Sequence, residues 1–154
     1  MYSLKRKQHI PHSRQDVFNF FKSPENLEKI TPSDIGFKIL TPKPIKMQTG
    51  AVLDYTINLI GFKIRWTTLI TDFQEPQGFA DVSLKSPYSY WYHKHHFVET
   101  KSGTVMYDEI NYSLPFGILG KIAHSIWVKR ELNKIFDYRA EVIDDIFKTK
   151  LVEV

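Results

Sequence analysis

The chain has 154 residues, of which 42% are hydrophobic and 25% charged, with 21 Lys and Arg against 17 Asp and Glu. This size and composition predict a single folded domain over residues 1–154. The lack of cysteine excludes disulfides, thiolate catalysis and cysteine-ligated metal sites. Because no long apolar run occurs and the N-terminus has no apolar leader, we expect no transmembrane segment, no signal peptide and a cytoplasmic location.

The net charge of +4 does not by itself indicate a nucleic-acid partner. Basic residues are dispersed, and several alternate with apolar ones, as on the solvent face of a strand: Lys5, Lys7, Lys63 and Arg65. We therefore expect no nucleic acid. The unusual feature is the content of 11 Phe, 8 Tyr and 3 Trp, which can fill a core or line a pocket.

The chain begins with a pattern of one strand and two short helices. Alternation from Tyr2 to Ile10 predicts the strand. Ser13, followed three residues later by Asp16, predicts the start of a helix, and Ser23-Pro24-Glu25 predicts the start of another. The residues from Phe37 to Leu40 then predict a short strand.

A tight turn at Ile60-Gly61 joins two alternating segments. This turn places Tyr55 opposite Trp66 and Ile57 opposite Ile64, so the apolar sets of both strands share one face. The sequence therefore predicts a hairpin with one side turned toward the core.

The sequence does not decide which side chains of the next strand, Phe79 to Lys85, point toward the core. After a turn at Pro76-Gln77-Gly78, a two-residue loop would turn Asp81 and Ser83 inward. Hydrophobicity instead favours the residues of opposite parity, and a bulge would permit either arrangement.

The densest aromatic run precedes a turn at Ser102-Gly103. Pairing across this turn places Phe97 opposite Asp108, which puts Asp108 diagonal to His95. The predicted inward face of this hairpin consists of Trp91, His93, His95, Phe97, Asp108, Ile110 and Tyr112.

The last third of the chain has a helical pattern in two parts. Leu119, Ile122 and Ile126 form one apolar stripe, and a second stripe belongs to a helix from about Leu132 to Lys148. The two stripes are out of phase, which predicts a bend near Lys129-Arg130 or two helical pieces. The second piece is amphipathic and must pack on a sheet or a partner.

This order of elements predicts an α+β fold. A strongly curved antiparallel sheet of about seven strands, with two short helices, would wrap a long C-terminal helix and leave a cavity between sheet and helix. Such a fold does not by itself define a function.

Several segments, which cover nearly the whole chain, carry a family likeness: Val17 to Phe21, Glu25 to Pro32, Gly50 with Asp54-Tyr55, Arg65-Trp66-Thr67, Pro87-Tyr88 with Trp91, His93, His95 and Phe97, Asp108 with Tyr112, Leu114 to Gly117, and Ile135 to Arg139. Together they resemble the START-like, or helix-grip, superfamily (SRPBCC), whose relatives include the birch pollen allergen and polyketide cyclase/dehydrase domains. The resemblance implies a cavity for lipids, sterols, polyketides or similar apolar molecules. It implies no single chemistry, since some members are cyclases or hydrolases and many only bind or carry.

The candidate ligand-binding residues are those expected to face the cavity: Tyr55, Ile57, Trp66, Thr68, Trp91, His93, His95, Phe97, Asp108, Ile110, Tyr112 and Phe136. They would desolvate the body of an apolar ligand and orient its polar group.

His93, His95 and Asp108 are the candidate catalytic residues, because imidazole is the usual proton shuttle near neutral pH. Asp108 would fix the tautomer of His95, and Tyr112, predicted opposite His93, would help to polarise a ligand carbonyl. At neutral pH we expect at most one of the two imidazoles to be protonated, and expect it to be His95.

Neither a cofactor nor a metal is expected. The 7 glycines are scattered and form no phosphate-binding loop. His-x-His with a carboxylate can hold zinc or non-haem iron, but the adjacent His96 faces the other way.

The favoured hypothesis is a protein that binds or carries a hydrophobic small molecule, such as a lipid, quinone, polyketide or aromatic compound, without catalysis. The alternative is a cyclase, dehydratase or hydrolase that uses His93 or His95 with Asp108 as its acid/base group. A third hypothesis is a protein-interaction module, similar to START-like co-chaperones, whose surface would include Tyr90, Tyr92 and His96.

Overall fold

The computed structural model describes residues 1–152, with side chains through residue 148. Its strands are β1 (Tyr2–Ile10), β2 (Lys38–Ile39), β3 (Val52–Leu59), β4 (Phe62–Gln74), β5 (Gly78–Lys85), β6 (Tyr90–Thr100) and β7 (Gly103–Ser113). Its helices are α1 (Arg14–Phe21), α2 (Glu25–Lys29), α3 (Gly117–Ala123) and α4 (Lys129–Val152), with a 3-10 turn at Ser33–Ile35 and a π-helical turn at His124–Val128.

The seven strands form one antiparallel sheet in the order β1-β7-β6-β5-β4-β3-β2. Consecutive strands from β2 to β7 are neighbours, and β1 closes against β7. The predicted α+β helix-grip architecture is therefore confirmed. The single-domain prediction for 1–154 includes residues 153–154, which lie outside the described residues.

The first helix begins as the sequence predicts. The Ser13 hydroxyl oxygen accepts a hydrogen bond from the Asp16 backbone N–H at 3.2 Å and donates one to the Asp16 carboxylate at 2.6 Å. This reciprocal pair stabilises the first turn of α1. In α2 the cap position is Pro24, one residue later than the predicted Ser23.

The β3–β4 register is confirmed, whereas the predicted β6–β7 register is wrong by two residues. Asp108 lies opposite His95, and Phe97 lies opposite Met106. The reason is that Gly103 begins β7, so it does not belong to the turn: its φ is 135°, and a Cβ there would lie 2.3 Å from the carbonyl oxygen of Ile10. A shift of two residues preserves parity, so the predicted inward face is retained.

A register irregularity between Ile70 and Asp72 decides the facing of β5. It places Asp81 opposite Ile70 on one side and opposite His93 on the other. Asp81 therefore faces inward, while Leu84 is 59% exposed.

The phase difference between the two C-terminal stripes has a direct structural cause. The π-helical turn of 5 residues separates α3 from α4, immediately before the predicted bend at Lys129-Arg130. The first stripe, which runs from α3 into the π-helical turn, faces solvent, since Leu119 and Ile126 are 71% and 73% exposed. The α4 stripe does pack on the sheet, and Gln8 Nε2 of β1 donates to the Ala140 carbonyl at 2.9 Å.

Buried side chains form two clusters on the inner face of the sheet. The first lies under α1 and the end of α4: Ile10, Val17, Phe18, Phe20, Ile30, Phe79, Phe97, Met106, Ile143 and Phe147. The second lies under the start of α4: Ile110, Tyr112, Val128, Leu132 and Phe136. Of the helices in the described part, none combines the length and the apolar character needed to cross a bilayer.

Candidate functional site

A cavity of about 980 Å³ lies between the inner face of the sheet and α4. Members of both buried clusters contribute to its wall, including Phe79 from the first and Phe136 from the second. Eight of the twelve candidate ligand-binding residues line it: Tyr55, Ile57, Trp66, Thr68, Trp91, His93, His95 and Phe136.

The other four candidates are on the inward face but not on the cavity wall. Phe97 and Ile110 are fully buried, and Phe97 packs edge-on against Phe18 at 5.8 Å between ring centroids. Tyr112 is buried and shares a hydrogen bond of 2.8 Å with His124 Nε2. It pairs with Trp91, so the predicted position opposite His93 is wrong. Asp108 is buried against the histidines. The inward face of the sheet therefore extends beyond the part that lines the cavity.

The aromatic part of the wall is built by strands β3, β4 and β6 with the segment before β6. Trp66 meets Trp91 edge-to-face at 5.3 Å, and Tyr88 lies 4.8 Å from Trp91. Tyr55 and Thr68 share a hydrogen bond of 3.3 Å between their hydroxyls. These rings present apolar faces with few polar atoms, which suits an apolar ligand.

Asp108 contacts both histidines with the same carboxylate oxygen. His93 Nε2 lies 3.2 Å from Asp108 Oδ1 in hydrogen-bond geometry. His95 Nδ1 lies only 2.6 Å from Asp108 Oδ1, but the angles between the two groups fall outside hydrogen-bond geometry. This contact is therefore electrostatic. Asp108 therefore contacts His95, as predicted, but from the position directly opposite it on β7. His93 is the residue that lies diagonal to Asp108.

The protonation states of His93 and Asp108 follow from their burial and their contact. Burial, together with the neighbouring His95, lowers the pKa of His93 to about 3, against the opposing effect of Asp108. Burial tends to raise the pKa of Asp108, but interactions with His95 and the His93 hydrogen bond outweigh it and hold that pKa below its ordinary value. At neutral pH a neutral His93 therefore donates from Nε2 to an ionised Asp108.

Asp81 is a second carboxyl group at the site, and it lines the cavity. Burial raises its pKa to about 7, although His95 and Arg139 oppose this shift. The group is thus poised between its neutral and ionised forms at physiological pH.

Arg139 is a candidate site residue that the sequence analysis did not predict. It lines the cavity from α4 and is 9% exposed. Within the described residues its guanidinium makes no ion pair and its Nε has no hydrogen-bond partner, and the guanidinium carbon lies 4.6 Å from the centre of the Phe136 ring. A signal existed in the sequence, because Arg139 is three residues after Phe136 and four before Ile143, within the apolar stripe of α4.

His93, His95 and Asp81 are the residues that could hold a metal ion. Their candidate ligand atoms lie within 4.8 Å of one another, and two imidazoles with one carboxylate suit zinc or non-haem iron. The positive charge of Arg139, which interacts with Asp81, opposes a cation at this position.

A scan of protein-family models and a search of curated proteins each found no match to this chain. Solved structures do match. TTHA0849 from Thermus thermophilus aligns over 97% of this chain and 99% of its own, with 13% identity and a TM-score of 0.76. The di-domain ARO/CYC StfQ from the steffimycin biosynthetic pathway aligns over 99% of this chain and 52% of its own, with 10% identity and a TM-score of 0.74.

A third match broadens the comparison. Ara h 8.0201 aligns over 92% of this chain and 97% of its own, with 13% identity and a TM-score of 0.58. At these identities the likeness is one of fold. The chain has the START-like, or helix-grip, fold.

Proposed function

We propose that this chain binds or carries a hydrophobic small molecule whose polar end is an anionic oxygen group, such as a carboxylate or an enolate. The observation that carries the proposal is the buried Arg139 guanidinium, which lines the cavity without an ion-pair partner in the described residues. A buried cation is costly unless an opposite charge accompanies it.

A ligand anion would supply that charge, and guanidinium matches a planar oxyanion in a bidentate arrangement. The ordinary partner within the protein would be Asp81, but its raised pKa leaves it partly neutral at pH 7. In its neutral form Asp81 becomes a hydrogen-bond donor to the same ligand group.

The apolar body of the ligand would contact the aromatic wall. Trp66, Tyr88 and Trp91 border a volume of about 980 Å³, within the range of small-molecule sites. Native mass spectrometry of gently purified protein, followed by extraction of bound compounds, tests the proposal. We expect a bound acid with a large apolar body. Protein that neither retains nor takes up such a molecule would contradict it.

A second candidate function is acid–base catalysis. It is favoured by one observation, that Asp81 lines the cavity together with His93 and His95. Burial there raises the pKa of Asp81 to about 7, which suits proton transfer at neutral pH. The extracted ligand, incubated with fresh protein, would then be converted to a new mass. Conversion that survives the combined change His93→Ala and His95→Ala would remove the two histidines from the mechanism.

A further inference from the structure

Two residues other than glycine have positive φ angles in the described chain, and both are large and apolar. Ile60, in the β3–β4 turn, has a φ of 50°, and Phe116, before α3, has a φ of 68°. This region is unfavourable for bulky and β-branched residues, because Cβ crowds the backbone. Packing does not offset the strain, since Ile60 is 72% and Phe116 82% exposed. Strain on an exposed apolar residue points to a role outside folding.

Both residues stand at the mouth of the cavity. They are exposed to solvent and also contribute to the cavity lining, as does Leu119 of α3. The exposed apolar residues around this opening, which we call the apolar rim, are Ile60, Phe62, Phe116, Ile118, Leu119 and Ile122, each at least 49% exposed. Single exposed apolar residues are ordinary, but several that flank one cavity opening mark an interaction surface.

The segments that carry the apolar rim are basic and contain no acidic residue. Residues 55–71 include Lys63 and no Asp or Glu, and residues 110–123 include Lys121 and again no Asp or Glu. Lys63 and Lys121 are both exposed. The acidic residues of the cavity wall on other segments include Asp34 and Glu131. The charge of the two rim segments themselves is complementary to an anionic surface.

We propose that the apolar rim docks onto the surface of an anionic lipid bilayer. Ile60 and Phe116 would insert below the headgroups, while Lys63 and Lys121 contact the anionic headgroups. Apolar side chains at two separate turns can each insert into a fluid bilayer, whereas a rigid protein partner would need a matching pocket for each side chain. In this orientation the cavity mouth faces the lipid, so an apolar ligand passes between bilayer and cavity without crossing water. The docking surface is independent of which ligand is bound.

Vesicle flotation tests the proposal. The wild-type protein should float with phosphatidylcholine vesicles that contain about one third phosphatidylglycerol, and much less with phosphatidylcholine alone. Raising the salt from 0.1 to 0.5 M should weaken the association, because the headgroup contacts are screened.

The informative variant is Ile60→Gly combined with Phe116→Gly. Glycine accepts positive φ, so the melting temperature should stay equal or rise, while the fraction bound to anionic vesicles should fall at least tenfold. Val98→Thr, at the far end of β6 and 38% exposed in the wild type, is the matched control and should float like wild type.

Each alternative outcome overturns the proposal. Wild-type protein that does not bind anionic vesicles would contradict the proposal. A double glycine variant that still floats with them would also contradict it. Concentration-dependent dimerisation lost in that variant would assign the apolar rim to a second copy of the chain. Phe62→Thr with Ile118→Gln, whose side chains lie outside the cavity lining, separates this proposal from ligand binding: vesicle association should fall while uptake of a dissolved ligand is retained.

Discussion

Across the β6–β7 hairpin, the Asp108 carboxylate accepts a hydrogen bond from His93 Nε2 at 3.2 Å, and both side chains are at least nine-tenths buried. This buried hydrogen bond restrains the orientation of the His93 ring, which lines the cavity. It fixes which His93 nitrogen carries the proton and leaves Nδ1 as an acceptor.

Replacing Asp108 with Asn should lower the free energy of unfolding by roughly 2–4 kcal/mol, because it leaves buried imidazole groups without their anionic partner. Chemical denaturation at pH 7 measures the change. Glu109→Gln, the next residue on β7, is the control. Its ion pair with Lys5 is largely exposed, so the loss there should stay below about 0.5 kcal/mol. Equal losses in both variants would contradict the assigned role of Asp108.

The His93 ring should remain neutral from pH 8 down to about pH 4, with its proton on Nε2. The folded pKa of about 3 lies below the unfolded value of 6.5. The unfolded chain therefore takes up a proton first as the pH falls, and His93 lowers stability progressively between about pH 6.5 and 3. Nitrogen-15 NMR of labelled histidine reports both the charge and the tautomer. A His93 titration with a midpoint near 6.5 would show that the ring is solvated.

Asp81→Asn should stabilise the fold more at pH 8 than at pH 5. The folded pKa of Asp81, about 7, is above its unfolded value of 3.8, so the folded state binds the extra proton and the wild-type stability falls as pH rises through this window. The substitution removes that dependence. We expect the stability difference between variant and wild type to grow by about 2 kcal/mol from pH 5 to pH 8. Asp72→Asn, at an exposed position two residues from the β4 end, is the control. A pH-independent difference for Asp81→Asn would mean that this carboxyl ionises as in water.

The turns decided how far the sequence could predict the sheet. Ile60-Gly61 joins β3 to β4 directly, so counting from that turn gave the observed pairs. At the β6–β7 hairpin Gly103 lies within β7, where the Ile10 carbonyl leaves no room for a Cβ, a long-range proximity that no local pattern reveals. The inward face was still predicted, because an error of two residues conserves parity.

The site was less predictable than the fold, for two reasons. The inward position of Asp81 depends on a bulge near Thr71, and the sequence allows the bulge without requiring it. The role of Arg139 could not be recognised from the pattern of its helix, since a single cation within an apolar stripe resembles an ordinary amphipathic pattern. Its position between Phe136 and Ile143 becomes informative only when the helix faces a cavity.

The central claim, that Arg139 binds the anionic end of an apolar ligand, is tested most directly with two fluorescent probes that share one ring system. 1-Anilinonaphthalene-8-sulfonate carries a sulfonate, and N-phenyl-1-naphthylamine lacks it. The wild-type protein should bind both. Ile57→Trp, which fills part of the cavity, should weaken the binding of both.

The decisive measurement is the dissociation constant of each probe for Arg139→Met, a variant that keeps much of the side-chain volume while removing the charge. Affinity for the sulfonate probe should fall at least tenfold, equivalent to about 1.4 kcal/mol, while affinity for the neutral probe should stay within about twofold. Equal loss of both probes, or no loss of the sulfonate probe, would contradict it.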